Sequence, residues 1–184
     1  MLDESPLEER ESGLVPTGRG WFVLNARDAP WYERDRRGFV CEFEGLEGDA
    51  PDFDQLGINI TVLRPGEAMA MYHWETEAEA FLVISGEALL VAEGQERPLK
   101  QWDFVHCPPK TEHVLVGAGD GPCVLLAMSS RQNQAFGPYG EYTANEIAGK
   151  HGASPDETTQ DADEADANWP ESQPSRYREG WLPD

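Results

Sequence analysis

The chain has 184 residues and a mass of 20.5 kDa, which suits one domain with tails and a core that needs no covalent staples. With 14 Lys and Arg against 35 Asp and Glu, its formal charge of −21 repels phosphate backbones and anionic lipid surfaces, so nucleic acid and membrane are not expected as partners. Three cysteines (Cys41, Cys107, Cys123) at no motif spacing imply neither a disulfide framework nor a zinc ribbon. The acidic N-terminal stretch lacks the apolar core of a signal peptide, so the expected compartment is the cytoplasm.

Residues 1–17 read as a charged, weakly ordered lead-in. Residues 18–55 carry two β-prone runs, GRGWFVLN at 18–25 and GFVCEFE at 38–44, and then a turn-rich connector at 50–55. These N-terminal strands serve either as edge strands within one subunit or as the contact of a homodimer, the usual cover for open sheet edges. From residue 56 to 130 the pattern becomes a series of short β-runs punctuated by Gly or Pro: GINITVLR, AMAMYH, AFLVISG, EALLVAE, ERPLK, DFVHCP, EHVLVG and PCVLLAMS. Many short strands at close spacing predict an all-β sandwich or barrel.

Past Ser130 the β signal stops. Within residues 131–152, the segment 142–151 (YTANEIAGKH) predicts one short helix with Thr143 as N-cap and Gly152 as stop. Residues 153–184 form an acidic tail. Its first part, 153–171, has no core-forming side chain except Trp169 and is expected to be disordered. Its aromatic end, RYREGWLPD, is costly to leave in water and is expected to fold back on the barrel or on a neighbouring subunit. Only three of the cations are Lys (Lys100, Lys110, Lys150), and a Lys-poor acidic surface is compatible with high salt, where screening removes self-repulsion.

The chemistry concentrates in PGEAMAMYHWETEAEAFLVISG, residues 65–86. A turn at Pro65-Gly66 launches a strand on which His73 and Glu75 share one face, with Met69 and Met71, while Tyr72 and Trp74 take the other. Glu79 opens the next strand and Gly86 ends it. A second turn, Pro108-Pro109-Lys110-Thr111, sets up His113. Imidazoles and carboxylates converging from neighbouring strands suit one divalent ion such as Mn, Fe, Ni or Zn. With only four His in the chain, two placed this way are informative. His106 is a rival ligand or a wall residue, Cys107 reads as a small core side chain, and His151 as a helix-end cation.

These two segments resemble the paired motifs of the cupin family. The first motif runs Gly, five residues, His-x-His, three or four residues, Glu, six residues, Gly. Here it reads Gly66, six residues, His73-x-Glu75, three residues, Glu79, six residues, Gly86. In the second motif Pro108 and His113 match, while Trp102, Lys110 and Gly117 replace the family's Gly, Gly and Asn. The resemblance covers about residues 56–130. It implies a double-stranded β-helix, the jelly-roll cupin barrel, with extra N-terminal strands, one short C-terminal helix and a metal on His73, Glu75, Glu79 and His113. Glu75 in place of a His hardens the site toward oxygen-loving ions; alternatively it is a catalytic base beside the metal. Three functions remain open: isomerase-like metal-dependent chemistry on a small oxygen-rich molecule, a non-haem iron dioxygenase, and a non-catalytic binding module. For an anionic phosphate ligand, Arg64 and Lys110 are the cations beside the motifs.

Overall fold

The computed structural model describes residues 3–43, 55–131 and 140–183; the predicted connector, apart from Gln55, lies outside them. Among these residues the chain is mostly antiparallel β-structure. Before the barrel come β1 (Leu7–Glu9), β2 (Leu14–Pro16), β3 (Trp31–Arg34) and β4 (Gly38–Glu42). The barrel strands are β5 (Leu56–Leu63), β6 (His73–Glu75), β7 (Glu79–Ser85), β8 (Glu87–Ala92), β9 (Gln95–Lys100), β10 (Phe104–Cys107), β11 (His113–Ala118) and β12 (Cys123–Ser130). Then follow β13 (Gly140–Tyr142), the helices α1 (Glu146–Gly149) and α2 (Ala162–Ala165), and β14 (Gln173–Ser175). A seven-stranded sheet, β10-β7-β12-β5-β4-β3-β14, faces a five-stranded sheet, β13-β6-β11-β8-β9, while β1 and β2 pair apart. This is the jelly roll that the strand spacing predicts.

Strand alternation sorts the apolar residues into three layers. On β7 Phe81 and Val83, and on β11 Leu115, point between the sheets and join Leu63, Leu99 and Leu125 in the barrel interior. On β11 the alternate residues Val114 and Val116 face outward, where Tyr72, Ala148, Ala153 and the partly buried Trp169 cover them. The outer face of the larger sheet carries Trp31, Phe39, Cys41, Val62 and Val124, under a cover that includes Tyr177, Trp181 and Leu182. Each buried Val, Leu or Phe contributes about 1.5–3 kcal/mol, so the outer layers count as well as the interior. The expected folding-back of the aromatic end is therefore seen within the chain: the Trp181 ring lies 5.0 Å from that of Trp31 and 4.0 Å from that of Phe39.

Several expectations are corrected. Residues 18–25 form no strand; their backbone makes isolated bridges at Arg19 and Trp21, the latter with Glu4, and β propensity without a ladder to join does not hold a strand. On the side away from β5, the partner of β4 is instead β3, unmarked by any clear alternation. The run AMAMYH is a strand only from His73 onward, because Met69 and Tyr72 donate their N–H groups to Leu115 and Ala153 across irregular backbone. That irregular stretch accommodates the extra residue between Gly66 and His73. The single predicted helix is the short α1, capped by Asn145 rather than Thr143: the Asn145 side chain accepts from the N–H groups of Ile147 and Ala148. The lead-in contains the β1–β2 hairpin. The supposedly disordered 153–171 contains α2, capped by Asp161, with Ala153 and Ala165 buried and Trp169 packed beneath. Average composition concealed these few well-spaced apolar anchors.

The turns keep the backbone that the family's motifs call for even where the glycine is gone. Gly86 has φ +75°, and a Cβ there would sit 2.4 Å from the Pro122 carbonyl oxygen. Trp102 and Lys110, which stand at motif glycine positions, have φ of +73° and +69°. The left-handed region costs a non-Gly residue roughly 1–2 kcal/mol, so surrounding hydrogen bonds must hold it, such as Trp102 N–H to the Val83 carbonyl at 2.8 Å.

Candidate metal centre

The antiparallel pairing of β6 with β11 sets His73 directly across from His113, with ring centroids 5.2 Å apart. Glu79 opens β7 on the facing sheet, and its Oε2 lies 3.2 Å from His113 Nε2 and 4.0 Å from His73 Nε2. One ligand atom from each of these three residues falls within 4.8 Å of the others, spacing that suits one ion with bonds of about 2 Å. The group His73, Glu79 and His113 can therefore hold a metal.

The imidazoles are also oriented for it. His73 Nδ1 lies 2.7 Å from the Met71 carbonyl oxygen, and His113 Nδ1 3.0 Å from that of Thr111. A carbonyl accepts only, so each Nδ1 carries a proton and each Nε2 is turned into the cavity, the arrangement by which second partners fix metal-ligating His. Burial lowers the His113 pKa, but contacts with Cys107 and the Glu79 carboxylate raise it further, to about 10. Without an ion the Nε2 proton is held against Glu79; an ion must displace it.

Glu75 shares the inward face with His73, as the period of two requires, while Trp74 faces out toward Gln160 and Ala162. Glu75 Oε1 lies 3.6 Å from His73 Nε2, and its Oε2 is buried without a hydrogen-bond partner. It stands beside the three-residue group rather than within it. An orphaned carboxylate oxygen there fits either a cation or a proton in transit.

The cavity over these groups has a volume of about 200 Å³, and its walls include Met69, Phe81, Tyr142, Arg34 and Arg37. A larger cleft of about 820 Å³ between β9 and β10, walled by Leu90, Leu99 and Phe104, contains none of the candidate ligands; chemistry, not size, marks the smaller one. His106 is exposed on β10, so it is neither ligand nor wall. Met71 is buried away from the cavity, unlike Met69. Glu77 is buried, and Ser130 Oγ donates to its Oε2 at 2.6 Å. Burial pushes the Cys41 and Cys123 thiols up to about 12, which leaves them unreactive packing. His151 pairs with Glu96 at 2.7 Å on the outside.

The cations expected beside the motifs turn elsewhere. Arg64 is exposed, bonded to Glu67 and stacked over Phe39, and the Lys110 ammonium lies over the outward Trp74 ring. Arg34, Arg37 and Tyr142 take their place, and sequence reasoning missed all three. A signal for the first two was present: three of the chain's 14 cations fall within residues 34–37, ahead of Gly38. Tyr142 gave none, because its position opposite His73 arises only from the pairing of β13 with β6.

Residues 59–129 match the family model described as "Cupin domain". Over that segment the chain is similar to a cupin domain, in keeping with the jelly roll and with the paired motifs. No curated protein matches it significantly. Among solved structures, it is similar to a provisionally named sugar phosphate isomerase from Acidithiobacillus ferrooxidans, at 28% identity and TM-score 0.42 over 50% of this chain and 61% of that one. It is likewise similar to a cupin-superfamily sugar phosphate isomerase from Silicibacter pomeroyi, at 25% identity and TM-score 0.46 over 65% and 70%. A third is a provisionally named oxalate decarboxylase from Thermotoga maritima, at 21% identity and TM-score 0.49 over 59% and 97%. The match thus spans less than two thirds of the first of these proteins.

Proposed function

We propose that this chain is a metal-dependent enzyme that moves a proton on a small oxygen-rich molecule, in the manner of an isomerase, with Glu75 as the base. The observation that carries this reading is the buried, unpartnered Oε2 of Glu75 on the same cavity as His73, Glu79 and His113. Those three residues, with Glu75 in reserve, would hold one divalent ion of the Mn, Fe, Ni or Zn type. Such an ion, when bound, polarises a carbonyl or hydroxyl oxygen of the ligand. Glu75 Oε2 takes the proton from the neighbouring carbon. The Tyr142 hydroxyl is raised by burial and by the charges of Asp166 and Glu75, so it stays protonated and can return a proton from the cavity wall.

The test is deuterium uptake from D2O into 2-hydroxyaldehydes, 2-hydroxyketones and their phosphates, followed by NMR on Mn-loaded protein. Glu75→Gln is expected to slow exchange about 100-fold or more while leaving one ion per chain. Unchanged exchange in that variant, or none in the parent protein, contradicts the reading.

A second reading, a non-haem iron dioxygenase, is favoured by one observation: the group of two His and one carboxylate is the triad that leaves positions free for O2. Oxygen uptake by Fe(II)-loaded protein on catechols or thiols would select it, and tight binding without any turnover would select a non-catalytic module. As for its setting, we infer a cytoplasmic homodimer working on a small molecule without nucleic acid or membrane partners. The net charge of −21 supports the latter. The edge strand β10 with its exposed Phe104 supports the former, and sedimentation at the single-chain mass would count against it.

A further inference from the structure

Two arginines stand over the metal cavity, and they are not alike. Both come from the hairpin of β3 and β4, whose turn at 35–37 is closed by the Arg37 N–H bonding the Arg34 carbonyl at 2.9 Å. On β3 the alternation puts Trp31 and Glu33 on the outer face, where Trp31 packs against Trp181 and Glu33 pairs with Arg178. Arg34 therefore points the other way, into the cavity. Arg37 is engaged: its Nη1 lies 2.8 Å from Asp166 Oδ2, and its guanidinium stacks 4.5 Å from the Trp169 ring centre.

Arg34 is not. Its Nε and Nη2 are shut off from solvent and have no hydrogen-bond partner. Burial, followed by the charge of Arg37, lowers its pKa to about 10 against the smaller opposing pull of the Glu42 and Asp166 carboxylates, so it is still cationic at neutral pH but its two donors stay unbonded. A buried cation with two idle donors is costly unless something supplies acceptors, and a planar fork of donors matches a carboxylate or phosphate face. A chain with net charge −21 repels anions at large, so a buried arginine in a cavity is a local exception that selects for them.

The same cavity is lined by the candidate metal ligands and Glu75. A ligand spanning both must carry an oxyanion at one end and an oxygen donor at the other. The volume of about 200 Å³, that of roughly seven waters at about 30 Å³ each, limits it to a compact molecule of a few carbons. We propose that Arg34, with Arg37 behind it, is the oxyanion-recognising subsite of this cavity, and that the ligand is a small carboxylate or phosphoester bearing a hydroxyl or carbonyl on the neighbouring carbon. This rests on the reading of the cavity as a metal site and names its substrate class.

The experiment is calorimetric titration of Mn-loaded protein with lactate, glycerol 3-phosphate and the uncharged propane-1,2-diol, with metal content measured on the same samples. At least one oxyanion is expected to bind tenfold or more tightly than the diol, and which one does so separates carboxylate from phosphoester. Arg34→Met is expected to weaken that oxyanion about 10- to 100-fold, the range for a hydrogen bond to a charged group, with one ion per chain retained and no fall in melting temperature. Equal binding of the diol overturns the proposal, as does an Arg34→Met variant with undiminished oxyanion affinity. A lower melting temperature with unchanged affinity would show that Arg34 serves only the fold. If the variant does not fold, the diol comparison in the parent protein decides. Parent protein without metal defeats the reading of a metal site; parent protein with one ion and no oxyanion preference defeats only the present inference.

Discussion

The strand pair β6–β11 and the hairpin β3–β4 both serve the same cavity, yet they are built on different logic. In β6–β11 the functional residues are inherited from local rules. Two scarce imidazoles sit at fixed distances from turns, and antiparallel register brings His73 against His113. In β3–β4 the cluster of cations at 34–37 is visible locally, but nothing local says that Arg34 and Arg37 turn toward a cavity. They reach it because Trp31 and Phe39 are buried under Trp181, which fixes the outer face of the hairpin and so turns Arg34 inward. The first region is specified by its motif, the second by packing that involves both ends of the chain.

If that contrast is right, the two regions respond to different perturbations. The largest effect is expected from Trp31→Ala, since truncating a fully buried Trp costs about 3–5 kcal/mol. A urea melt should show that loss while metal stoichiometry stays unchanged; loss of metal in folded variant protein would mean that the regions are not separable. Next comes pH. With one proton displaced from His113 on loading, apparent metal affinity should rise roughly tenfold per pH unit as pH climbs through neutrality and level off near about 10, where that imidazole is no longer protonated. For metal-free protein the sign is the reverse. A raised folded pKa contributes stability that is full below about pH 6.5 and is lost as pH climbs toward 10, so denaturant melts should weaken over that window. The smallest effect tests the motif logic itself. Trp102 is exposed and holds φ +73°, so Trp102→Gly should relieve strain and raise stability by under about 1 kcal/mol in a thermal melt; a clear loss would show that its ring matters more than its backbone.

Legibility in the sequence followed the same division. The barrel strands from β7 to β12 were evident from their apolar β-runs and turn residues, because most bury at least one face and each has Gly or Pro beside one of its ends. His73, Glu79 and His113 were evident from spacing. What composition hid was sparse tertiary anchoring: Ala153, Ala165 and Trp169 tie down a polar segment that looks unstructured by average, and that segment supplies Asp166 to Arg37. The β-prone run at 18–25 misled for the opposite reason, since propensity cannot make a strand where no partner strand lies alongside. Arg64 and Lys110 were near the motifs in sequence but face outward, over Phe39 and Trp74.

The most direct test is anomalous scattering from crystals grown with Mn, Fe, Ni or Zn and measured at the absorption edge of each. One peak is expected, within bonding reach of His73 Nε2, His113 Nε2 and a Glu79 oxygen, and absent in a His73→Ala, His113→Ala double variant. No peak at that place, or a peak that survives loss of both imidazoles, would contradict the metal centre.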